Sequence, residues 1–463
     1  MSDAKKSLFK RGLDKKPVLA EVKEVVLDEH QMNAVMSRNS NTLVVAGAGS
    51  GKTAVLTKRV EHLIKDEGVK PSNIIAITFT NMASEEMKER LSNVDGIGDA
   101  FIGTIHSFAN RVMKLSGEVY RIYDDAIEND FMGELINKYA KFLTRERFLE
   151  WKDLKSKEMM GQVSEYEVNN FLEPSEQCEY HLFTRGEHEE VAGLDLYGIA
   201  FADYPETIGS LCKARKVITF DELLKKAEKY FRSIDAHIEH VLVDEFQDVG
   251  TLEFQFIEAL QADNYFLVGD DWQSIYGFKG GNVEIFKKLV TDGLFSVYYL
   301  NNNYRNGRQI LNVAETVINQ VHSKIDKAIV QMCDEEGEVL IDTKKNVDKY
   351  LRAIKESGEF RSTFVLTRSN KDLYELAERL ADAEIPYITF KREGMSLAEI
   401  REKMAENRVK LLTVHVSKGL EADNVLMYGN FPIMCPKYRN NEEERKVMYV
   451  GITRARKSLC ILN

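Results

Sequence analysis

The 463-residue chain is 44% hydrophobic with a formal net charge of −11, which excludes one small core and a generally basic nucleic-acid coat, and the lack of any apolar run of about 18 residues excludes a helical membrane span. Five cysteines (Cys178, Cys212, Cys333, Cys435, Cys460) are scattered without any C-x-x-C pair, which offers no zinc framework and fits a reducing compartment. The charge is uneven: residues 121–200 hold 9 Lys/Arg against 18 Asp/Glu and carry −9 of the total, so the rest is close to neutral.

In chain order, residues 1–26 are predicted to be a flexible tail, with six basic side chains (Lys5, Lys6, Lys10, Arg11, Lys15, Lys16) against Asp3 and Asp14 in its first sixteen positions. From Asn41 to about Phe108, short β-branched runs (TLVVA, IIAITFT) alternate with helical stretches (TAVLTKRVEHLIK, SEEMKERL), the pattern of a parallel α/β sheet. From Arg111 to Arg215 the β signal fades into charge-rich amphipathic stretches broken at Pro174 and Pro205, which predicts a helical insertion. The α/β pattern resumes with HVLVDEFQD (240–248) and YFLVGDD (265–271). It starts afresh near Tyr298 and runs through STFVLTRSN, RVKLLTVHV, NVLMYGN and KSLCILN, which predicts a second α/β lobe. The expected plan is a first lobe over 27–110 and 216–285, an insertion over 111–215, and a second lobe over 286–463.

Two local patterns carry chemistry. Ala46, Gly47, Ala48, Gly49, Ser50, Gly51, Lys52 and Thr53 (AGAGSGKT) follow a β-branched run and open a helical stretch. Glycines there let backbone N–H groups turn onto an anion at a helix N-terminus, Lys52 adds a point charge, and the Thr53 hydroxyl suits Mg2+. The pattern predicts binding of ATP or GTP. A phosphate loop also needs a group that holds the metal and one that aims the attacking water. Asp244 and Glu245, at the end of the run from His240 to Val243, fit as metal holder and general base.

The chain resembles superfamily 1A helicases of the UvrD/Rep group. The resemblance is carried by ordered motifs: LDEHQMNAV (27–35), AGAGSGKT (46–53), TFTNMASEEMKER (78–90), GTIHSF (103–108), ITFDELL (218–224), VDEFQD (243–248), VGDDWQSIYGFKGG (268–281), NNNYRN (301–306), LTRSN (366–370), LLTVHVSKGLEADNV (411–425) and EEERKVMYVGITRAR (442–456). The tokens DDWQSIY and SKGLEAD are similar to the helicase IV branch. The resemblance implies two RecA-like P-loop NTPase lobes, ATP and Mg2+ as cofactors, and travel from 3′ to 5′ along single-stranded or tailed duplex DNA. It also implies roles. Gln31 reads the adenine edge, which favours ATP, Tyr304 stacks on the base and Glu421 approaches the ribose. Arg305 and Arg454 reach the γ-phosphate from the second lobe, and Gln273 senses it at the lobe boundary. Phe79, Tyr276 and Phe278 are expected to stack on DNA bases, with Asn81, His106, Lys279, Asn370 and His415 as polar contacts.

Several positions depart from that pattern. Ala46 stands where the usual loop has Gly, Ala54 where many relatives have Arg, Lys279 where they have Arg, and Phe278 where the best-known have Trp. Relatives carry a large accessory domain, called 2B, between the counterparts of Tyr387 and Val409, where this chain has only a vestige at about 388–408. The text ends soon after the last motif, which predicts no nuclease or protein-binding tail. The expected role is DNA repair, recombination or replication in the cytoplasm, at the nucleoid, with no membrane attachment. Two alternatives keep the fold: an ATPase subunit that regulates a partner nuclease in anti-phage defence, and an ATPase that binds RNA polymerase.

Overall fold

The computed structural model describes residues 26–123, 127, 150, 210, 212–277, 280–390, 395–431 and 441–463. The N-terminal tail through residue 25, most of the insertion, and the expected DNA contacts Phe278 and Lys279 lie outside the described residues. The chain forms two compact units, one of Met1–Leu115 with Ala227–Asn463, the other of Ser116–Lys226.

Strands of the larger unit's first sheet are β1 (Asn41–Ala46), β2 (Ile74–Thr78), β3 (Phe101–Thr104), β6 (His240–Val243), β7 (Asn264–Gly269) and β8 (Ser296–Leu300). In the smaller unit β4 (Arg121–Ile122) pairs in parallel with β5 (Val217–Ile218), and Ile127 and Val217 are buried beside Tyr123 and Cys212. The first sheet is all parallel in the order β3-β2-β6-β7-β1-β8. Helices cover both faces of such a sheet, so its inner strands are mostly apolar, and β2 and β6 are buried at every position. The loops after β1, β6 and β7 leave neighbouring strand ends, and this is why phosphate loop and carboxylates, far apart in sequence, share one crevice.

One expectation is corrected. The run near Tyr298 opens no second lobe: β8 pairs with β1, Tyr298 opposite Val44, as the sixth strand of the first sheet. The preceding helix Val283–Thr291 also belongs there, its buried Phe286 packing 6.1 Å from the Phe246 ring. The first lobe therefore extends past residue 286 to Leu300. A strand's sheet is decided by its pairing partner, and that partner lies far upstream, beyond the reach of local periodicity.

Downstream, β9 (Asn302–Asn303) pairs with β10 (Val330–Gln331). The second sheet comprises β11 (Glu338–Asp342), β12 (Thr363–Thr367), β13 (Tyr387–Ile388), β14 (Val409–Thr413), β15 (Ala422–Tyr428) and β16 (Ala455–Leu462), all parallel, in the order β11-β16-β15-β12-β14-β13. Successive residues of β12 serve opposite cores. Phe364 and Leu366 join Val447 and Val450 of the helix Glu442–Ile452, while Val365 joins Leu376 and Leu380 of the helix Asn370–Asp382. Ala48, Trp272 and Ile275 of the first lobe sit in the same apolar cluster as Phe364, so the lobes share part of a core.

The lobes also share a local device. Thr78 at the end of β2 lies opposite Thr104 of β3, and Thr367 at the end of β12 lies opposite Thr413 of β14. The Thr78 hydroxyl donates to the Thr80 carbonyl at 3.0 Å, and that of Thr367 to the Ser369 carbonyl at 3.1 Å. Thr80 and Ser369 then cap the helices beginning at Asn81 and Asn370. Between β13 and β14 stands a nine-residue helix, Leu397–Ala405. Its first amide, Leu397 N, donates to Glu85 Oε2 of the first lobe at 2.8 Å, and Arg401 pairs with Glu89 at 2.7 Å.

Candidate functional site

The phosphate loop leaves β1 at Ala46 and becomes helical at Lys52 (helix Lys52–Lys65). Gly49 and Gly51 have φ of 65° and 81°, and a Cβ on either would lie within 2.8 Å of Arg305 Cβ or 2.7 Å of Gln31 Nε2. Here the glycines serve close approach as well as turning. Ser50 Oγ donates to the Gly47 carbonyl at 2.9 Å and closes the loop on itself. Lys52 Nζ is buried without a hydrogen-bond partner, 3.3 Å from Glu245 Oε2. A buried ammonium left so poorly satisfied at a helix N-terminus fits a phosphate oxygen.

Asp244 is 4% exposed, and its Oδ2 accepts from Thr53 Oγ1 at 3.3 Å. Burial, helped by the neighbouring Glu245, pushes its carboxyl up to about 7 against the pull of Lys52. A buried carboxylate beside a hydroxyl, short of compensating charge, is a donor set for a hard divalent cation, which would reverse that shift. Glu245 sits in the left-handed region, φ 50° and ψ 41°, a strained conformation for a residue with a side chain. Burial would raise its carboxyl, but Lys52 and Lys418, with a 2.5 Å hydrogen bond from Gln247 Nε2, hold it at about 2.

From the lobe boundary, Gln273 donates its amide to Asp270 Oδ2 at 2.5 Å and accepts from Arg454 Nη2 at 3.0 Å. Arg454 is 1% exposed and also donates to the carbonyls of Val450 and Leu420; burial, with Arg305 nearby, pulls it down to about 9. Arg305 Nε pairs with Glu421 Oε2 at 2.6 Å, so two residues expected on different parts of a nucleotide hold each other. Tyr304 is exposed, its hydroxyl on Asp28, and its backbone N donates to Gly49 O at 3.0 Å. Gln31 has both amide ends engaged, donating to Ser50 O at 2.8 Å and accepting from Asp28 N at 2.9 Å. The structure thus gathers Gln31, residues 46–53, Asp244, Glu245, Gln273, Tyr304, Arg305, Glu421 and Arg454 around one crevice.

A second group lies across the same lobes. The rings of Phe79 and Tyr276 stack at 5.2 Å and 18°, and Tyr276 lies 6.3 Å from the His415 ring. Asn81 and Asn370 begin the two matching helices. A cavity of about 430 Å3 is lined by Arg368, Asn370, Thr413, His415 and Glu443 among others. His106 stands apart from that cavity, 3.9 Å from Glu253.

Sequence reasoning missed several contributors. Asp248 and Lys418 stand inside quoted motifs, and the Lys418 ammonium meets Asp248 Oδ2, donates to the Gln273 carbonyl at 2.8 Å and lies 4.9 Å from the Tyr276 ring centroid. Lys327, in the unremarkable run SKIDKAIV, is fully buried between Asp270 and Asp271. Nothing local marks it.

The chain is similar to known proteins over nearly its whole described length. Residues 27–292 match the UvrD/REP helicase N-terminal domain, and residues 298–405 and 390–463 match the UvrD-like helicase C-terminal domain. The chain belongs to the UvrD/REP helicase family. It is similar to a probable DNA helicase of Mycoplasma pneumoniae, 27% identical over 94% of this chain and 83% of that protein. DNA helicase II of Escherichia coli is 28% identical over 81% of this chain and 52% of its own length, and ATP-dependent DNA helicase PcrA of Bacillus subtilis 32% identical over 63% and 39%. The chain thus spans about half or less of those two relatives. The two parallel sheets are the RecA-like lobes of this family, and no helix among the described residues is long and apolar enough to cross a membrane.

Proposed function

We propose that this chain hydrolyses Mg-ATP between its lobes and uses closure of the cleft to move along single-stranded DNA from 3′ to 5′, in DNA repair, recombination or replication. The observation that carries the reading is the buried, unsatisfied Lys52 ammonium in a glycine cradle beside the Asp244–Glu245 pair, with Arg454 reaching Gln273 across the lobe boundary. Lys52 takes a phosphate oxygen, and Gln31 and Tyr304 flank the base. Thr53 and Asp244 would hold Mg2+, which would neutralise charge on the phosphate oxygens. Phosphate competes with Glu245 for Lys52, so Glu245 regains basicity only when nucleotide is present and can then take a proton from the attacking water. Arg305 and Arg454, both from the second lobe, stabilise transition-state charge; Arg305 must first leave Glu421, which is free then to meet the ribose.

DNA lies on Phe79 and Tyr276, with Asn81, Asn370, His106 and His415 as polar contacts; Phe278 and Lys279, outside the described residues, keep their expected roles as a further stacking ring and a further polar contact. Stacked aromatics tolerate any base, which suits a motor that reads no sequence. The test is ATP hydrolysis by the purified protein with and without single-stranded DNA, followed by unwinding of duplexes with 3′ or 5′ tails. Stimulated turnover that Lys52→Ala abolishes is the expected result. Turnover indifferent to DNA would overturn the motor, and unwinding only from a 5′ tail would overturn the direction.

A further inference from the structure

Lys327 is the least expected charge in the molecule. Its side chain is completely buried, as are those of Asp270 and Asp271. The ammonium donates to Asp270 Oδ1 at 2.6 Å, Asp271 Oδ1 at 2.9 Å and the Ala46 carbonyl at 2.9 Å, and it lies 4.7 Å from the Trp272 ring centroid. The segment around it is pinned to the same place. Ile325 N donates to Asp271 Oδ2 at 2.8 Å, and Trp272 Nε1 donates to the Ile325 carbonyl at 2.9 Å. A run that follows the boundary between the lobes is thus fastened beneath the base of the phosphate loop.

A continuous chain of polar contacts runs from this point. Ala46 O meets Lys327, Lys327 meets Asp270, Asp270 Oδ2 accepts from Gln273 Nε2, and Gln273 Oε1 accepts from Arg454. The direction of the Gln273 amide follows from chemistry alone. A carboxylate only accepts and a guanidinium only donates, so the amide NH2 must face Asp270 and the carbonyl oxygen must face Arg454. That holds while Asp270 stays ionised in a site without solvent, and Lys327 supplies the countercharge. Buried ion pairs are weak grounds for stability, since well-packed apolar groups do as well. Apolar groups would not orient an amide.

We infer that Lys327 is a positioning residue for ATP hydrolysis, which through Asp270 sets the orientation of the Gln273 amide between the phosphate loop and Arg454. The inference rests on the ATPase reading above. Its consequence is a split in kinetics. Lys327 touches the phosphate loop only at the Ala46 carbonyl, where the loop leaves the strand, and its ammonium otherwise bonds Asp270 and Asp271, so its loss leaves nucleotide affinity nearly intact and lowers turnover.

The test is a double-mutant cycle on the full chain, with DNA-stimulated kcat and the affinity for a fluorescent ATP analogue as readouts. Lys327→Met is expected to bind the analogue within about threefold of wild type while kcat falls about 100-fold, the scale of a misplaced catalytic group. Gln273→Ala is expected to do the same, and the double variant no worse than the worse single one. The pair Lys327→Met with Asp271→Asn keeps the net charge of the buried triad and carries the test should Lys327→Met alone unfold. Additive losses in the cycle, unchanged kcat in Lys327→Met, or a loss explained by nucleotide affinity would overturn the proposal, as would unfolding of both variants. A wild-type chain without ATP turnover would overturn the ATPase reading and this inference with it, whereas wild-type turnover with additive losses overturns this inference alone.

Discussion

At the scale of single residues, Glu245 shows how its neighbours restrain a carboxylate. Its backbone is held in the left-handed region, and its carboxylate is tied to Lys52 at 3.3 Å and to Gln247 at 2.5 Å. A carboxylate held at about 2 is a poor base. An anion that draws Lys52 away removes the largest of the charges that hold it down, while Lys418 and Gln247 remain. Glu245→Gln keeps the shape and most hydrogen bonding but removes the base. Turnover is expected to fall by about 10^2 to 10^4-fold, with ATP-analogue affinity retained, as read by phosphate release and fluorescence titration. Retained turnover would remove Glu245 from the mechanism. Lys52, Thr53, Asp244 and Glu245 are legible from sequence because phosphate chemistry demands those types beside strand ends. Lys327 is not, because its partners, Ala46, Asp270 and Asp271, are brought to it only by the fold.

At the scale of elements, the repeated strand end is the part of the architecture that local patterns hid. TFTN and TRSN share only threonine and asparagine in register, yet each builds a threonine hydroxyl bond and a capped helix beginning at Asn. Alternating α/β periodicity made both sheets legible, while the assignment of β8 required knowledge of its pairing with β1. The helix Leu397–Ala405 is a second case. Its capping box of Ser396 and Glu399 is readable in sequence, but the Glu85 carboxylate that accepts from Leu397 N comes from the other lobe. A carboxylate on a helix's first amide satisfies an otherwise unpaired donor and opposes the positive end of the helix dipole, worth about 1.5 kcal/mol. Glu85→Ala is therefore expected to speed hydrogen exchange at Leu397 by about tenfold, read by mass spectrometry or NMR. An unchanged rate would show that this contact does not hold the helix.

For the whole molecule, the arrangement of lobes predicts a reciprocal coupling between nucleotide and DNA. Each site takes residues from both lobes: Arg454 meets Gln273 at one, while Tyr276 stacks on Phe79 and hydrogen-bonds the His415 carbonyl at 3.3 Å at the other. Lys418 lies where the two meet. It holds the Gln273 carbonyl at 2.8 Å on the side proposed for nucleotide, lies 4.9 Å from the Tyr276 ring centroid on the side proposed for DNA, and pairs with Asp248 across the boundary. Linkage requires that, if single-stranded DNA tightens a non-hydrolysable ATP analogue by some factor, the analogue tighten DNA by the same factor, typically about 5- to 150-fold. Lys418→Met removes the charge common to both sides while leaving Lys52, Arg305 and Arg454 to the nucleotide and Phe79 and Tyr276 to DNA. The expected outcome is that each ligand alone binds within about threefold of wild type and the coupling factor drops below about twofold, measured by paired fluorescence titrations in both orders. Were the factor to survive in Lys418→Met, the signal would have to travel through the shared apolar cluster of Ala48, Trp272 and Ile275 instead, and substitutions there would become the place to look for it.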